Sequence, residues 1–289
     1  GVRTLFSRRK TFKQLYPGAR SSIPNGLLTN AYSSADVVII TAVAGSAAAG
    51  LYTVALQVLM PAAMLASSIG NALTIKSSGQ SSAGEAVDQD LLNAMSYTGL
   101  FAIPMFFGAL AMPQAIPRTL FGPEFAAAST ALVGLGLFQI GNAYAKPFEM
   151  TFQGINQPGT VFRVNSFIFI IHLSFAVLLG WIYGLIGVVV STVTAEAVRF
   201  VVYQFLAYRH FNQIVMSRPM AEQVASAGIM YLALETLLTT LGVKNWIILV
   251  GIIGGGATVY FGVLFSISSH FRLTLTNALP VEIPIVVGK

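Results

Sequence analysis

The chain of 289 residues is 55% hydrophobic and 9% charged, roughly a third of the charge share of an ordinary soluble domain. A water-exposed surface cannot be built from that supply, so soluble-enzyme architectures are excluded. The net charge of +6 does not indicate nucleic acid, because the basic residues cluster at the N-terminus and between apolar runs rather than along one face. Lipid headgroups are the expected counterpart.

Arg3 to Arg20 form a basic stretch with no short apolar core or small-residue cleavage site after it. It reads as an internal loop that has lost what preceded it, and not as a signal peptide. Continuous apolar runs of about 20 residues, the length that crosses a bilayer as a helix, then fall at 23–43, 48–75, 91–112, 125–145, 166–183, 185–207, 221–241 and 246–268. Their continuity favours helices over the alternating strands of a barrel. The expected fold is therefore all-α, a polytopic transmembrane helix bundle of about eight spanning helices. One set of connections holds Arg3, Arg8, Arg9, Lys10, Lys13, Arg20, Lys76, Lys146, Arg163, Arg209, Arg218, Arg272 and Lys289, and the other only Arg118 and Lys244. The positive-inside rule then predicts that both termini are cytoplasmic.

In the first span, Asn25, Thr29, Ser33 and Asp36 recur at helical spacing and share one stripe. A carboxylate at such depth costs about 3 kcal/mol on insertion scales, so Asp36 needs a partner, a proton or water. It is either structural glue, satisfied in part by its serine-rich turn, or a cavity residue that binds a cation or proton or positions a charged substrate. The second span repeats the pattern with Thr53, Gln57, Pro61, Met64, Ser68 and Asn71. Pro61 frees the carbonyl of Gln57 and favours a kink there.

In the fourth span, Asn142, Lys146 and Glu149 align on one face, with Pro147 expected to end or bend the helix. Lys146 either meets an anionic headgroup or snorkels while paired with Glu149. Glu196 and Arg199 are three residues apart in the sixth span and form an expected structural pair, with Tyr203 on the same face. Cysteine is absent, so thiolate ligands and nucleophiles are ruled out. His172, His210 and His270 have no companion at ligand spacing. No nucleotide loop or nucleophile constellation appears. No catalytic residue, metal site or cofactor is expected, and the chain does not read as an enzyme.

Several segments in order carry a family resemblance. Ser34-Ala35-Asp36-Val37-Val38-Ile39-Ile40 and Ala49-Gly50-Leu51-Tyr52-Thr53-Val54-Ala55 resemble the seventh and eighth helices of polysaccharide and lipid-linked oligosaccharide flippases, within the multidrug/oligosaccharidyl-lipid/polysaccharide exporter superfamily. Leu120-Phe121-Gly122-Pro123-Glu124-Phe125 is similar to the motif before that family's tenth helix. Gly154-Ile155-Asn156-Gln157-Pro158 with Arg163 and Asn165 is similar to its next inner loop, and Tyr183-Gly184-Leu185-Ile186-Gly187-Val188 to the turn into its twelfth helix.

The resemblance implies the C-terminal half of such a protein. On that basis 1–20 is a basic cytoplasmic segment, 21–218 a second six-helix lobe, 219–268 two additional transmembrane helices and 269–289 a cytoplasmic tail. The implied activity is flipping of a lipid-linked oligosaccharide or polysaccharide precursor from the inner to the outer leaflet of the cell membrane by alternating access. Substrate-path candidates are Asn25, Thr29, Ser33, Asp36, Gln57, Asn71, Lys146 and Arg163. The expected partners are membrane lipid, the lipid-linked glycan, and a missing N-terminal lobe or partner chain, with no nucleic acid. Two rivals stand beside this reading. One is a cation-coupled exporter of organic cations on the same fold, with Asp36 or Glu235 as coupling acid. The other is a non-transporting scaffold in which polar stripes only pack helices.

Overall fold

The computed structural model describes the backbone of residues 2–83, 88–212, 214 and 219–278, and the side chains within 34–80, 88–212, 214 and 219–273. Asn25, Thr29 and Ser33 therefore lie on a described helical backbone, but their side chains fall outside the described residues. Arg218 also lies outside them.

The first helical element, α1 (Val2–Ala83), is interrupted at Gly45 (φ 86°, ψ 169°). That conformation is essentially restricted to glycine, because a side chain at this φ and ψ is strained against its own peptide groups whatever the space around it. Asp36 and Tyr52 would be about 24 Å apart on an unbroken helix at 1.5 Å rise per residue. Instead, the Tyr52 hydroxyl donates to the Asp36 carboxylate. The chain thus reverses at Gly45 into two packed arms, and the helix continues through Pro61, where the kink was expected.

The remaining elements are α2 (Asp88–Ala111), α3 (Ala115–Phe121), a 3-10 turn at Pro123–Ala128, α4 (Ser129–Gly154), α5 (Pro158–Tyr183), α6 (Leu185–Phe211), α7 (Pro219–Leu241), α8 (Trp246–Ile267) and α9 (Ser269–Ala278). Seven described helices, including the arms of α1 as one, are long and apolar enough to cross a membrane. The two arms reconcile this with the eight runs read from the sequence. Large apolar side chains such as Ile170, Leu178, Trp181, Leu232 and Val250 are exposed, as lipid-facing surfaces require.

Helix α4 is central, packing against α1, α2 and α6, while α5 packs on α6 and α1. The α7–α8 pair joins the bundle mainly through α2. A Cβ on Gly187 would stand 1.9 Å from the carbonyl oxygen of Leu179, so only glycine admits the α5–α6 approach there. Helix α4 does not end at Pro147 but runs on to Gly154. A proline at 147 leaves the carbonyl of Ala143 without its helical donor. Thr98 Oγ1 on α2 donates to that carbonyl at 2.6 Å, so the neighbouring helix supplies the missing bond.

Candidate functional site

A cavity of about 340 Å³ lies inside the bundle, between both arms of α1 and helices α4, α5 and α6. Its wall carries two polar clusters. Around the first, the Asp36 carboxylate accepts from the hydroxyls of Tyr52 and, at 3.1 Å, Thr192. Its other oxygen lies 2.6 Å from His172 Nε2. Ser191 Oγ donates to the His172 carbonyl at 3.0 Å and lies 3.3 Å from Nδ1. Asp36 is 4% exposed and His172 fully buried, a placement tolerable in apolar surroundings only because each polar atom has a partner.

The second cluster holds four charges. Lys146 Nζ is 3.3 Å from Glu149 Oε2, and Arg199 binds Glu196 Oε1 through Nη2 at 2.7 Å and Nε at 3.1 Å. Arg199 also reaches Glu149 at 3.9 Å and donates to Asn142 Oδ1 at 2.9 Å. The two helical pairs expected from spacing are thereby joined into one α4–α6 network. Asn165 Oδ1, on the cavity wall, accepts from Tyr203 at 3.2 Å. Glutamates buried to this depth need such compensation, since an unpaired one is strongly destabilising.

The sequence candidates separate in space. Asp36 and Lys146 line the cavity, one in each cluster. Gln57 instead faces a mainly apolar groove with Phe101, Pro104, Tyr260 and Phe261. Asn71 and Arg163 are exposed and do not line the cavity. Among the described residues, Asp36 is satisfied by three other segments of the fold, through Tyr52, His172 and Thr192.

Sequence reasoning missed His172, weighed there only as a metal ligand, together with Tyr52, Thr192 and Asn165. The available signal was an imidazole within an apolar run, since ionisable groups at membrane depth are costly and seldom idle. Arg199 was recognised as a pair, but its place on the cavity was not visible.

Comparison with known proteins agrees with this architecture. Residues 4–130 match the family model described as polysaccharide biosynthesis protein. Two curated relatives come from Haloferax volcanii. The probable flippase AglR is 27% identical over 270 residues, covering 89% of this chain and 55% of the relative. The probable low-salt glycan biosynthesis flippase Agl15 is 26% identical over 196 residues, covering 67% and 42%. The chain thus spans about half the length of the curated relatives it matches. Among solved structures, the lipid II flippase MurJ in an inward closed conformation superposes with a TM-score of 0.72 at 17% identity, over 87% of this chain and 53% of that one. The shared fold is that of a multi-pass membrane protein.

Proposed function

We propose that this chain is part of a flippase of the polysaccharide and lipid-linked oligosaccharide family, and that the whole protein moves a lipid-linked glycan across the membrane without breaking a bond. The observation that carries this reading is the intramembrane cavity that Asp36, Asn142, Lys146, Glu149, Asn165 and Arg199 line together. Donors and acceptors of both charges suit a hydroxyl-rich headgroup with a phosphate attached. A polyisoprenoid tail needs no polar lining and stays in the bilayer. Paired clusters on different helices also suit alternating access, because their bonds can be exchanged for substrate bonds as helices move.

In this reading 21–218 is one lobe and 219–268 an added helix pair, which the attachment of α7 and α8 through α2 supports. The second arm of α1 leaves Gln57, Pro61, Met64, Ser68 and Asn71 exposed on one side, a face suited to packing against a second lobe within the additional length of the curated relatives. The termini lie in the cytoplasm of a cell membrane on the basic-residue asymmetry.

The test is reconstitution of the native-length protein in liposomes holding a fluorescent polyisoprenoid phosphate-linked sugar, with an impermeant quencher outside. Protein-dependent exchange between leaflets, slowed by Asp36→Asn and by Arg199→Gln, is expected. Exchange no faster than in empty liposomes overturns the reading.

A further inference from the structure

The two basic residues that the sequence assigns to the less basic side, Arg118 and Lys244, are 126 positions apart by their numbering, yet they line one cleft. This cleft, of about 640 Å³, lies between α3, the start of the 3-10 turn and the α7–α8 turn, at the end of the bundle away from the cavity's charged cluster. Both side chains are exposed, and neither has a hydrogen bond or ion pair among the described residues.

A third positive feature meets them there. Helix α8 begins at Trp246, with Asn245 as its cap, and the Asn245 side chain accepts from the N–H of Ile248 at 2.9 Å. The first intrahelical bond runs from Leu249 N to the Asn245 carbonyl at 3.1 Å. The N–H groups of Trp246 and Ile247 therefore precede the ladder, at the positive end of a 22-residue helix. Beside Lys244 and Asn245 the cleft also carries apolar groups, Leu238, Val243 and the indole of Trp246, which is 62% exposed. A tryptophan at a helix end is a typical anchor at the lipid–water boundary.

We propose that this cleft binds the phosphate of an anionic membrane lipid, with Arg118, Lys244 and the α8 N-terminus holding the headgroup and Leu238, Val243 and Trp246 taking the first part of the acyl chain. An arginine fork and a lysine ammonium match phosphate oxygens, and the apolar groups select a lipid over a free phosphate. The site is distinct from the intramembrane cavity and stands whether or not the transport reading holds.

The chain has two tryptophans, so Trp181→Phe leaves Trp246 as a reporter inside the cleft. In detergent, fluorescence of the native-length protein carrying this substitution is titrated with short-chain phosphatidic acid, short-chain phosphatidylcholine and inorganic pyrophosphate. The expected result is a saturable change with phosphatidic acid, at least about tenfold tighter than with the other two, equivalent to about 1.4 kcal/mol. Arg118→Gln with Lys244→Gln abolishes that preference, and the charge-preserving Arg118→Lys with Lys244→Arg retains it. An unchanged response in the neutral double variant, or equal affinity for phosphatidylcholine or pyrophosphate, overturns the proposal. Far-UV circular dichroism of each variant confirms that the helices persist.

Discussion

His172 Nε2 lies 2.6 Å from Asp36 Oδ1 across 136 residues of sequence, fastening α5 to the first arm of α1 inside the membrane. Breaking a buried pair by removing one partner costs about 3–5 kcal/mol, whereas removing both leaves no uncompensated group. Asp36→Asn and His172→Asn should each lower thermal stability in detergent, and the double variant should lose less than the sum. A coupling of about 1 kcal/mol or more is expected, within the usual range for contacting residues. Strict additivity would show that the two side chains do not act as a pair.

The water content of the cavity separates a transporter from a scaffold, and the cysteine-free chain makes the measurement direct. Ser67 and Asn142 line the cavity, while Ser226 is fully buried away from it. With single cysteines at these positions in intact membranes, a water-soluble maleimide should label 67 and 142 several-fold faster than 226. Equal protection at all three would mean a dry interior, and the polar clusters would then be packing glue.

Much of this arrangement was legible because apolar runs and helical spacing are local properties. Lys146–Glu149 and Glu196–Arg199 followed from spacing on single helices, and Asp36 from its depth in an apolar run. The Asp36–His172 contact was not legible, because it exists only once α1 packs on α5. Gln57 shows the same limit from the other side. Spacing gave its stripe on the second arm, but which neighbour the stripe faces depends on how the helix rotates in the bundle. The reversal at Gly45 sat between two runs separated in the sequence reading, whereas at Pro147, where an end or a bend was expected, the helix runs on and a hydroxyl from another helix takes the freed carbonyl.

That hydroxyl is testable by itself. Thr98 Oγ1 satisfies the Ala143 carbonyl that Pro147 leaves without a donor. Thr98→Val keeps the shape but strands a buried acceptor, which costs about 1–3 kcal/mol. Thr98→Ser, retaining the donor, should stay closer to the parent in thermal unfolding. If valine and serine behave alike, the carbonyl finds another partner and the threonine serves only packing.

Arg199 holds two acids, Glu196 at 2.7 Å and Glu149 at 3.9 Å. Arg199→Gln removes the cation and leaves Glu196, 1% exposed, without its neutralising partner, so a loss of about 3–5 kcal/mol is expected. Adding Glu196→Gln should recover part of that stability. Recovery of stability without recovery of leaflet exchange would assign Arg199 to substrate handling as well as to packing. Recovery of both would confine it to the α4–α6 network.

Gly45 reverses α1 with φ 86° and ψ 169°, and a Cβ there would meet nothing within 4 Å. Any penalty for Gly45→Ala is therefore conformational rather than steric crowding by neighbours, and is expected at about 1–3 kcal/mol. Gly50 provides the internal contrast, since a Cβ there also meets nothing within 4 Å but its backbone is helical. Gly50→Ala should be neutral or stabilising by up to about 1 kcal/mol, because alanine is the better helix former. Thermal unfolding of the two variants in the same detergent then isolates the backbone requirement. Opposite shifts fit a glycine-dependent reversal that brings Tyr52 to Asp36. A Gly45→Ala variant as stable as its parent would mean that the reversal is met by another geometry, and the Asp36 cluster would then not depend on glycine at its hinge.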